Sequence, residues 1–537
     1  MSSNTQSLIV NNIKLPTDAS YQEAFSVSKK RLRQASIGVG KCEYRIYKRS
    51  VDARRRDSIM FVYSVIVSGE FTNVTEKTLT LAGASLSKSV MPQIVIGDEP
   101  LNARPVIVGS GPCGLFCALL LAENGYKPII LERGGSVKER ISEIEMFKRT
   151  RVLNTNTNIQ FGAGGAGTFS DGKLVTRIND PFSNYVLEKF VEFGAPEEIL
   201  HLAKPHIGTD ILCNVVDNML KRIGELGGEI RYNTAFLDAD FSSGVILEAK
   251  TTNGDIPLGV LVLAVGHSAR DTYSTLLSHG LSIEAKNFSV GMRIEHLTED
   301  IDRSMLGDNA DIKLLGHAEY TLAYNTKQRG VYTFCMCPGG EVVAAASEEG
   351  GVVVNGMSRH KRDGKNSNSA VVCTVFREDY GSDPRLAIEY QRNIENRAFL
   401  AGGGDYSAPM ITFGDFADGK LSKEPSKILP TYMDGGVKLA SPYSYLPSHI
   451  CDSIKNAIYD FDRKIPGFAD RSAVLTGPET RTSAPLRILR DESTRVALGF
   501  SNLYPAGEGA GYAGGITSAA IDGLRTALAI MKKYKSF

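Results

Sequence analysis

The chain has few cysteines for its length and no cysteine framework. It holds eight in 537 residues, and none stand in a CxxC, so a disulfide-rich secreted scaffold is excluded. Long hydrophobic runs are missing too. No apolar stretch reaches the roughly 18 residues that a membrane span needs. Residues 1–20 lack the charged-then-apolar order of a signal peptide. These absences predict a cytoplasmic protein with no membrane partner. Net charge is close to nil at +1, with 42% hydrophobic and 23% charged residues, ordinary for a globular chain. The charge is spread unevenly. Residues 1–104 carry 15 Lys and Arg against 9 Asp and Glu, and the remainder 46 against 51. A length of 537 residues allows two to four domains.

What is present centres on residues 104–134. Val106-Ile107-Val108 reads as a strand, followed by Gly109-Ser110-Gly111-Pro112-Cys113-Gly114, a small-residue apolar helix, a second strand ending at Leu131, then Glu132 and Arg133. Gly109 allows the tight turn, Gly111 lets backbone approach a pyrophosphate, and Gly114 lets the helix lie close to the sheet. The helix N-terminus faces the phosphates. Glu132 follows Gly109 at the distance where a carboxylate accepts from ribose hydroxyls. Strand, glycine turn, helix, strand and acid together make this a dinucleotide site.

A second glycine-rich stretch runs from Gln160 to Leu174, with five glycines in eleven positions. That content is incompatible with a regular helix or strand. Successive N–H groups in such a loop form a nest for phosphate or flavin atoms. Cofactor contacts are expected from Gln160, Gly164, Gly165, Gly167, Thr168, Phe169, Lys173 and Leu174. Leu258 to Val265 reads as a buried strand reaching Gly266, where ligands collect in open α/β sheets, so Ala264 and Gly266 join the list. Near the C-terminus, a strand from Leu503 ends in Gly507-Glu508 and a glycine run leads to a helix at Ile516. This resembles the second FAD motif of glutathione-reductase-like flavoproteins, in which an acid holds the ribityl chain. Gly507, Glu508, Gly515 and Ile516 are the matching residues. The resemblance implies non-covalent FAD. No second strand–glycine–helix unit with its own acid is found, so NAD(P)H, as a transient reductant, would dock on the flavin face.

Residues 6–68 predict a small ferredoxin-like α/β module: a strand at 7–10, a helix from Tyr21 to Leu32, and strands at 43–47 and 59–65. Lys48, Arg49, Arg54, Arg55 and Arg56 make its hairpin basic. RNA binding is one reading of that face. The glycine-aromatic core of RNP1 is absent, which weighs against it and leaves a solvated face set against an acidic body. Residues 69–103 read as a polar connector. From about 288 the texture is β-rich. Val331 to Cys337, a Pro-Gly-Gly turn, Glu341 to Ala346 and Val352 to Val354 read as a meander, and Ala370 to Phe376 as a further strand. The fold class expected is α/β: a Rossmann-like FAD-binding domain with an inserted β-rich substrate domain and the small N-terminal module. The boundaries expected are 1–100 for the basic module, 101–287 for the first part of the FAD domain, 288–470 for the substrate domain, and 471–537 for the rest of the FAD domain.

Blocks spread over nearly the whole chain carry a wider resemblance. They include 50–55, 160–174, 204–212, 263–293, 329–358, 366–369, 476–485 and 504–523. On these the chain resembles the family of FAD-dependent, or NAD(FAD)-utilizing, dehydrogenases. One departure is Ala163, where an acid is expected. The family implies a glutathione-reductase-like FAD fold and oxidoreduction of a small molecule, without naming it. A flavoprotein acting on RNA and a flavin-binding sensor without turnover are the competing readings.

Cys335 and Cys337 are the catalytic candidates. In a regular strand they would face the same side, about 6.6 Å apart at about 3.3 Å per residue, at the upper edge of disulfide geometry. Packing of small residues is the plainer account, and no further ligands lie nearby to complete a metal site. Cys113 and Cys117, one helical turn apart, read as helix packing. His206, His267, Arg270 and Arg481 could bind an anion or move protons, or serve as structural hydrogen-bonding groups.

Overall fold

The computed structural model describes residues 6–87, 92–176, 180–422 and 424–537. The N-terminal unit is a four-stranded antiparallel sheet. Its strands are Gln6–Pro16, Gly38–Asp52, Met60–Thr72 and Ala84–Leu86, and in space they run second, third, first, fourth. Helices Tyr21–Gln34 and Glu76–Ala82 complete a split βαββαβ unit of ferredoxin-like topology. The first helix starts with a capping box from Ser20 and Glu23 and buries Ala24, Ser28 and Leu32. Strand Met60–Thr72 alternates, burying Phe61, Tyr63, Val65 and Val67 in one cluster with Ala24 and Leu32. Its aromatic rings therefore lie in the core. The last helix and strand arise from residues expected to be connector. Thr75 caps that helix and Gly83 ends it in the left-handed conformation, a short-range signal in a weakly apolar stretch.

The central unit is a five-stranded parallel sheet. Its order is Leu503–Pro505, Leu261–Leu263, Val106–Val108, Ile129–Leu131, Glu229–Arg231. A strand from near the C-terminus, Leu503–Pro505, thus joins four from the N-terminal half. The helix Pro112–Glu123 is buried from Cys113 to Ala122, because it lies under the C-terminal helix Ile516–Lys533. A Cβ on Gly523 would stand 2.0 Å from the Cys113 carbonyl oxygen, so the two helices meet backbone to backbone. The apolar run 258–265 forms only three residues of strand, since its ends turn into loops at the sheet edge.

The third unit is a seven-stranded sheet, ordered Ala323–Asn325, Gly330–Cys337, Asn366–Val375, Phe288–Leu297, Val474–Glu479, Ala408–Thr412, Val437–Leu439. The meander expected across the Pro-Gly-Gly turn does not form. Gly330–Cys337 pairs with Ala323–Asn325 and Asn366–Val375, while Glu341–Ala344 leaves to pair with Val354–Met357 in a separate hairpin. Long-range pairing overrides turn adjacency here. Val474–Glu479 pairs on both sides within this sheet, so the β-rich unit continues past the boundary expected at 470. Among the described residues, no helix is long and apolar enough to cross a membrane.

Candidate functional site

A cleft of about 420 Å³ opens beyond the C-terminal ends of the parallel strands and is closed from the other side by the seven-stranded sheet. Gly109 begins the first wall at φ +101, and a Cβ there would lie 2.4 Å from the Ala264 carbonyl oxygen. Only glycine makes that turn against the neighbouring strand. Gly111 faces the cleft with only the Cα of Gly165 nearby, 3.8 Å from where its Cβ would be. The two glycine loops meet at this point. Ser110, Pro112, Cys113, Arg133, Gln160, Gly165, Gly167, Lys173, Ala264, Gly266, Gly515 and Ile516 also line the cleft.

The loop 160–174 is wound around one side chain that the sequence motifs do not mark. Arg140, fully buried, donates to the carbonyls of Asn158 at 2.9 Å, Ile159 at 2.7 Å, and Ala163 and Gly165 at 2.8 Å. The loop's N–H groups are also engaged. Gly162 donates to Glu132 at 3.0 Å and Gly164 to the Ser110 hydroxyl at 3.2 Å. Several expected cofactor contacts therefore sit behind the wall. Gly164 packs on Thr168 and Val216. Thr168 is 1% exposed, and Phe169 lies under the Arg140 guanidinium at 4.6 Å. Leu174 is core, with its carbonyl accepting from Thr517 at 2.8 Å. Gly114 and Gly507 are packing glycines: a Cβ on the first would meet the Gly109 carbonyl at 1.9 Å, and one on the second the Cys113 Cβ at 2.8 Å.

Glu132 lines the cleft, but its carboxylate is saturated. One oxygen accepts from the Ser110 N–H at 3.1 Å and the Ser110 hydroxyl at 2.6 Å, the other from the N–H groups of Gly134 and Gly162, both at 3.0 Å. A carboxylate offers about four acceptor sites, so the expected ribose contact requires one of these bonds to be surrendered. Glu508 is the reverse. It lines the cleft half-buried, with no hydrogen-bond partner for its carboxylate among the described residues, and desolvation raises it to about 7 against the pull of Lys286.

The opposite wall is made of side chains. Fully buried Arg293 forms a bidentate pair with Glu479, at 2.6 and 3.1 Å, and donates to the Asn368 and Asn355 side chains and to the Cys335 carbonyl at 2.9 Å. Burial lifts Glu479 to about 7, with Arg293 opposing. Thr321, Thr333, Asn355, Glu479 and Cys335 face the cleft. A charged residue in the otherwise apolar run Val290-Gly291-Met292-Arg293-Ile294 was the available clue to Arg293.

The expected same-face strand geometry of the two cysteines is not what forms. The register slips between Phe334 and Cys337, and Cys335 lies in a bulge at φ +45. A non-glycine residue there costs about 1–3 kcal/mol, offset by the Arg293 bond to its carbonyl. Cys335 faces the cleft, whereas Cys337 is fully buried and does not line it. The Cys337 thiol lies 3.4 Å from the Cys335 carbonyl oxygen. A hydrogen bond from Cys337 pulls Cys335 down to about 6 against burial, aided by Arg293 and Lys173, and the Cys337 thiol is pushed well up.

The four polar candidates separate. Arg270 does not line the cleft. It grips Glu395 with two bonds of 2.8 Å, and Glu395 also binds Arg481. Arg481 and His267 do line the cleft. His267 is driven to about 3 by burial and by Arg481 and Arg270. The Ser268 hydroxyl donates to the Gln160 side-chain oxygen at 3.1 Å, so His267 Nδ1, 2.8 Å from that hydroxyl, carries the proton and Nε2 is left an acceptor. His206 stacks on His360 at 5.4 Å, outside the cleft lining.

The residues suit a dinucleotide flavin. The glycine cradle at Gly111 would be filled by a larger side chain, the C-terminal helix aims its N-terminus at the cleft, and an unpartnered carboxylate stands beside it. Comparison with known proteins agrees. Residues 287–482 match the family model "FAD-dependent protein, C-terminal domain-like", and residues 8–68 match a domain of unknown function, DUF8436. A Clostridium beijerinckii protein described as uncharacterized is 43% identical over 534 residues, covering 98% of each chain. Among solved structures, glycine oxidase from Geobacillus kaustophilus is 12% identical, covers 81% of this chain and 95% of its own, and has a TM-score of 0.36. L-proline dehydrogenase from P. horikoshii is 12% identical, with 81% and 94% covered and a TM-score of 0.35. Likeness at that level carries no inference about reaction. With its nearly full-length relative and its matching C-terminal region, the chain belongs to a family of FAD-dependent proteins, flavoproteins whose cofactor is FAD.

Proposed function

We propose that the protein is an FAD-dependent oxidoreductase that takes a small molecule into the cleft between the parallel sheet and the seven-stranded sheet. The observation that carries this reading is the division of the cleft walls: backbone and glycine on one side, polar side chains on the other. Bound FAD supplies two-electron redox chemistry. Gly111 and Gly165 would leave room for its pyrophosphate, Glu508 would hold its ribityl hydroxyls, and the helix N-terminus at Gly515-Ile516 would favour negative charge on it. Glu479, near neutrality with Arg293 behind it, holds or accepts a proton at the substrate face. Asn355, Thr321 and Thr333 orient the substrate, and the apolar packing around them excludes water. Residues 288–479 act as the substrate unit and 101–287 with 486–537 as the FAD unit.

The test is anaerobic stopped-flow absorbance on FAD-loaded protein. NADH, NADPH or dithionite is used to bleach the flavin, and quinones, disulfides and oxygen are then offered as acceptors. Re-oxidation within seconds by at least one acceptor supports an enzyme. Flavin that stays reduced against all of them is the outcome of a sensor and overturns the reading.

A further inference from the structure

Cys335 and Cys337 lie where the two walls of the cleft touch. Lys173, from the glycine loop that packs on the nucleotide strands, donates its ammonium to the Met336 carbonyl, between the two cysteines. Its charge is held in place by Asp171, 3.4 Å away, itself clamped by Arg362. On the other side Arg293 reaches the Cys335 carbonyl at 2.9 Å and the Cys337 sulfur at 3.9 Å. The Cys337 thiol also reaches the Cys335 carbonyl at 3.4 Å. Two cations thus flank a pair of thiols in a buried pocket, the setting that stabilises a thiolate. The bulge removes the obstacle that an extended strand would impose. A left-handed residue at 335 breaks the extended spacing, and the Cys337 thiol turns onto the Cys335 carbonyl, with Cys335 facing the cleft and Cys337 behind it.

We propose that Cys335 and Cys337 are a redox-active dithiol that exchanges two electrons with the bound flavin, which makes small-molecule thiols and disulfides the substrate class of the cleft. This rests on the reading of the cleft as a flavin site. In the oxidising direction the Cys335–Cys337 S–S bond forms as the Cys337 S–H bond breaks, with Cys335 already ionised. Two electrons and one proton leave the pair, and the flavin, as oxidant, accepts all three. In the other direction Cys335, the exposed member, attacks a substrate disulfide and expels one thiolate. Cys337 then resolves the mixed disulfide, its S–H bond breaking as the second thiolate leaves and takes up that proton, and the internal disulfide is left for the reduced flavin.

The test counts thiols. FAD-loaded protein is reduced with a phosphine, desalted without air, re-oxidised with oxygen, quenched in acid and denatured. It should then present six of its eight thiols to a chromogenic reagent. The peptide spanning Cys335 and Cys337 should be lighter by two hydrogens. The FAD-free protein treated identically should keep eight. Dithionite titration should consume four electrons per flavin in the wild type and two in Cys335→Ser or Cys337→Ser. Eight thiols surviving in the re-oxidised loaded protein, together with a two-electron titration, would overturn the proposal. That result would leave FAD binding and re-oxidation by other acceptors intact, so it is distinguishable from failure of the oxidoreductase reading.

Discussion

Two strands of the parallel sheet lead into a carboxylate at the same edge of the cleft, and the two carboxylates differ in every respect that decides a role. Glu132 accepts four hydrogen bonds from the protein. Glu508 accepts none among the described residues and is held near 7 by burial. The cause lies in the path of the backbone after each carboxylate. Beyond Glu132 the backbone doubles back, and Arg140 then draws the second glycine loop over it, so N–H groups from both loops converge on the carboxylate. Beyond Glu508, Gly509 packs against Gly266 and the glycine run leads away to the last helix, leaving the oxygens facing the cleft. Equivalent motif positions thus give one strut and one free carboxylate.

The strongest test of that contrast is Glu132→Ala. Four buried donors would lose their acceptor, so the FAD-free protein should lose at least about 3 kcal/mol of stability in urea unfolding. A variant as stable as wild type, with only FAD affinity reduced, would make Glu132 a ligand after all. Next comes Gly111→Asp, which should weaken FAD binding by at least about 100-fold, roughly 2.7 kcal/mol, with little change in the unfolding midpoint. Gly111→Ala should bind nearly normally, since its Cβ would sit 3.8 Å from the nearest heavy atom of its surroundings. Equal affinity losses for both would point to a loop distortion. Glu508→Ala should reduce FAD affinity about tenfold to 100-fold in flavin fluorescence titration and leave the FAD-free protein no less stable. Unchanged affinity would remove Glu508 from the site.

The smallest effect is one of pH. Glu508 moves from an ordinary 4.5 to about 7 on folding, so the native state holds a proton that the unfolded state has lost. The Glu508 contribution to the stability of the FAD-free protein should therefore fall as pH rises from about 4.5 to about 7. Glu508→Gln should flatten part of that slope. Glu479, raised to about 7, adds to the same slope, as do the buried carboxyl of Glu295 and the half-buried carboxyl of Glu341. Parallel stability–pH curves for wild type and Glu508→Gln would show that the carboxylate is hydrated in the native cleft.

Much of the first wall was legible because its constraints are short-range. Gly109 must take φ +101 against the Ala264 carbonyl, whatever the rest of the chain does, and Gly111 follows it into open space at the cleft. The C-terminal helix begins at Ile516 and ends at Lys533, as its apolar stripe and terminal lysines predict. The second wall was mostly illegible. Nothing local to Arg293 tells of Glu479, 186 residues away, or of the Cys335 carbonyl it supports. Alternation put Cys335 and Cys337 on one face, and the register slip against Asn366–Val375 undid it.

The amino-acid sequence by itself determined where the glycine turn and the N-terminus of the following helix stand, because steric freedom at a glycine and the dipole of a following helix are properties of a few consecutive residues. Only the tertiary structure decided which carboxylate is free, which glycines face the cofactor and which merely let helices touch, and which cysteine reaches the cleft. Those outcomes turn on hydrogen bonds and close contacts between segments scores to hundreds of residues apart. A buried polar group takes whichever partner the folded chain brings within reach.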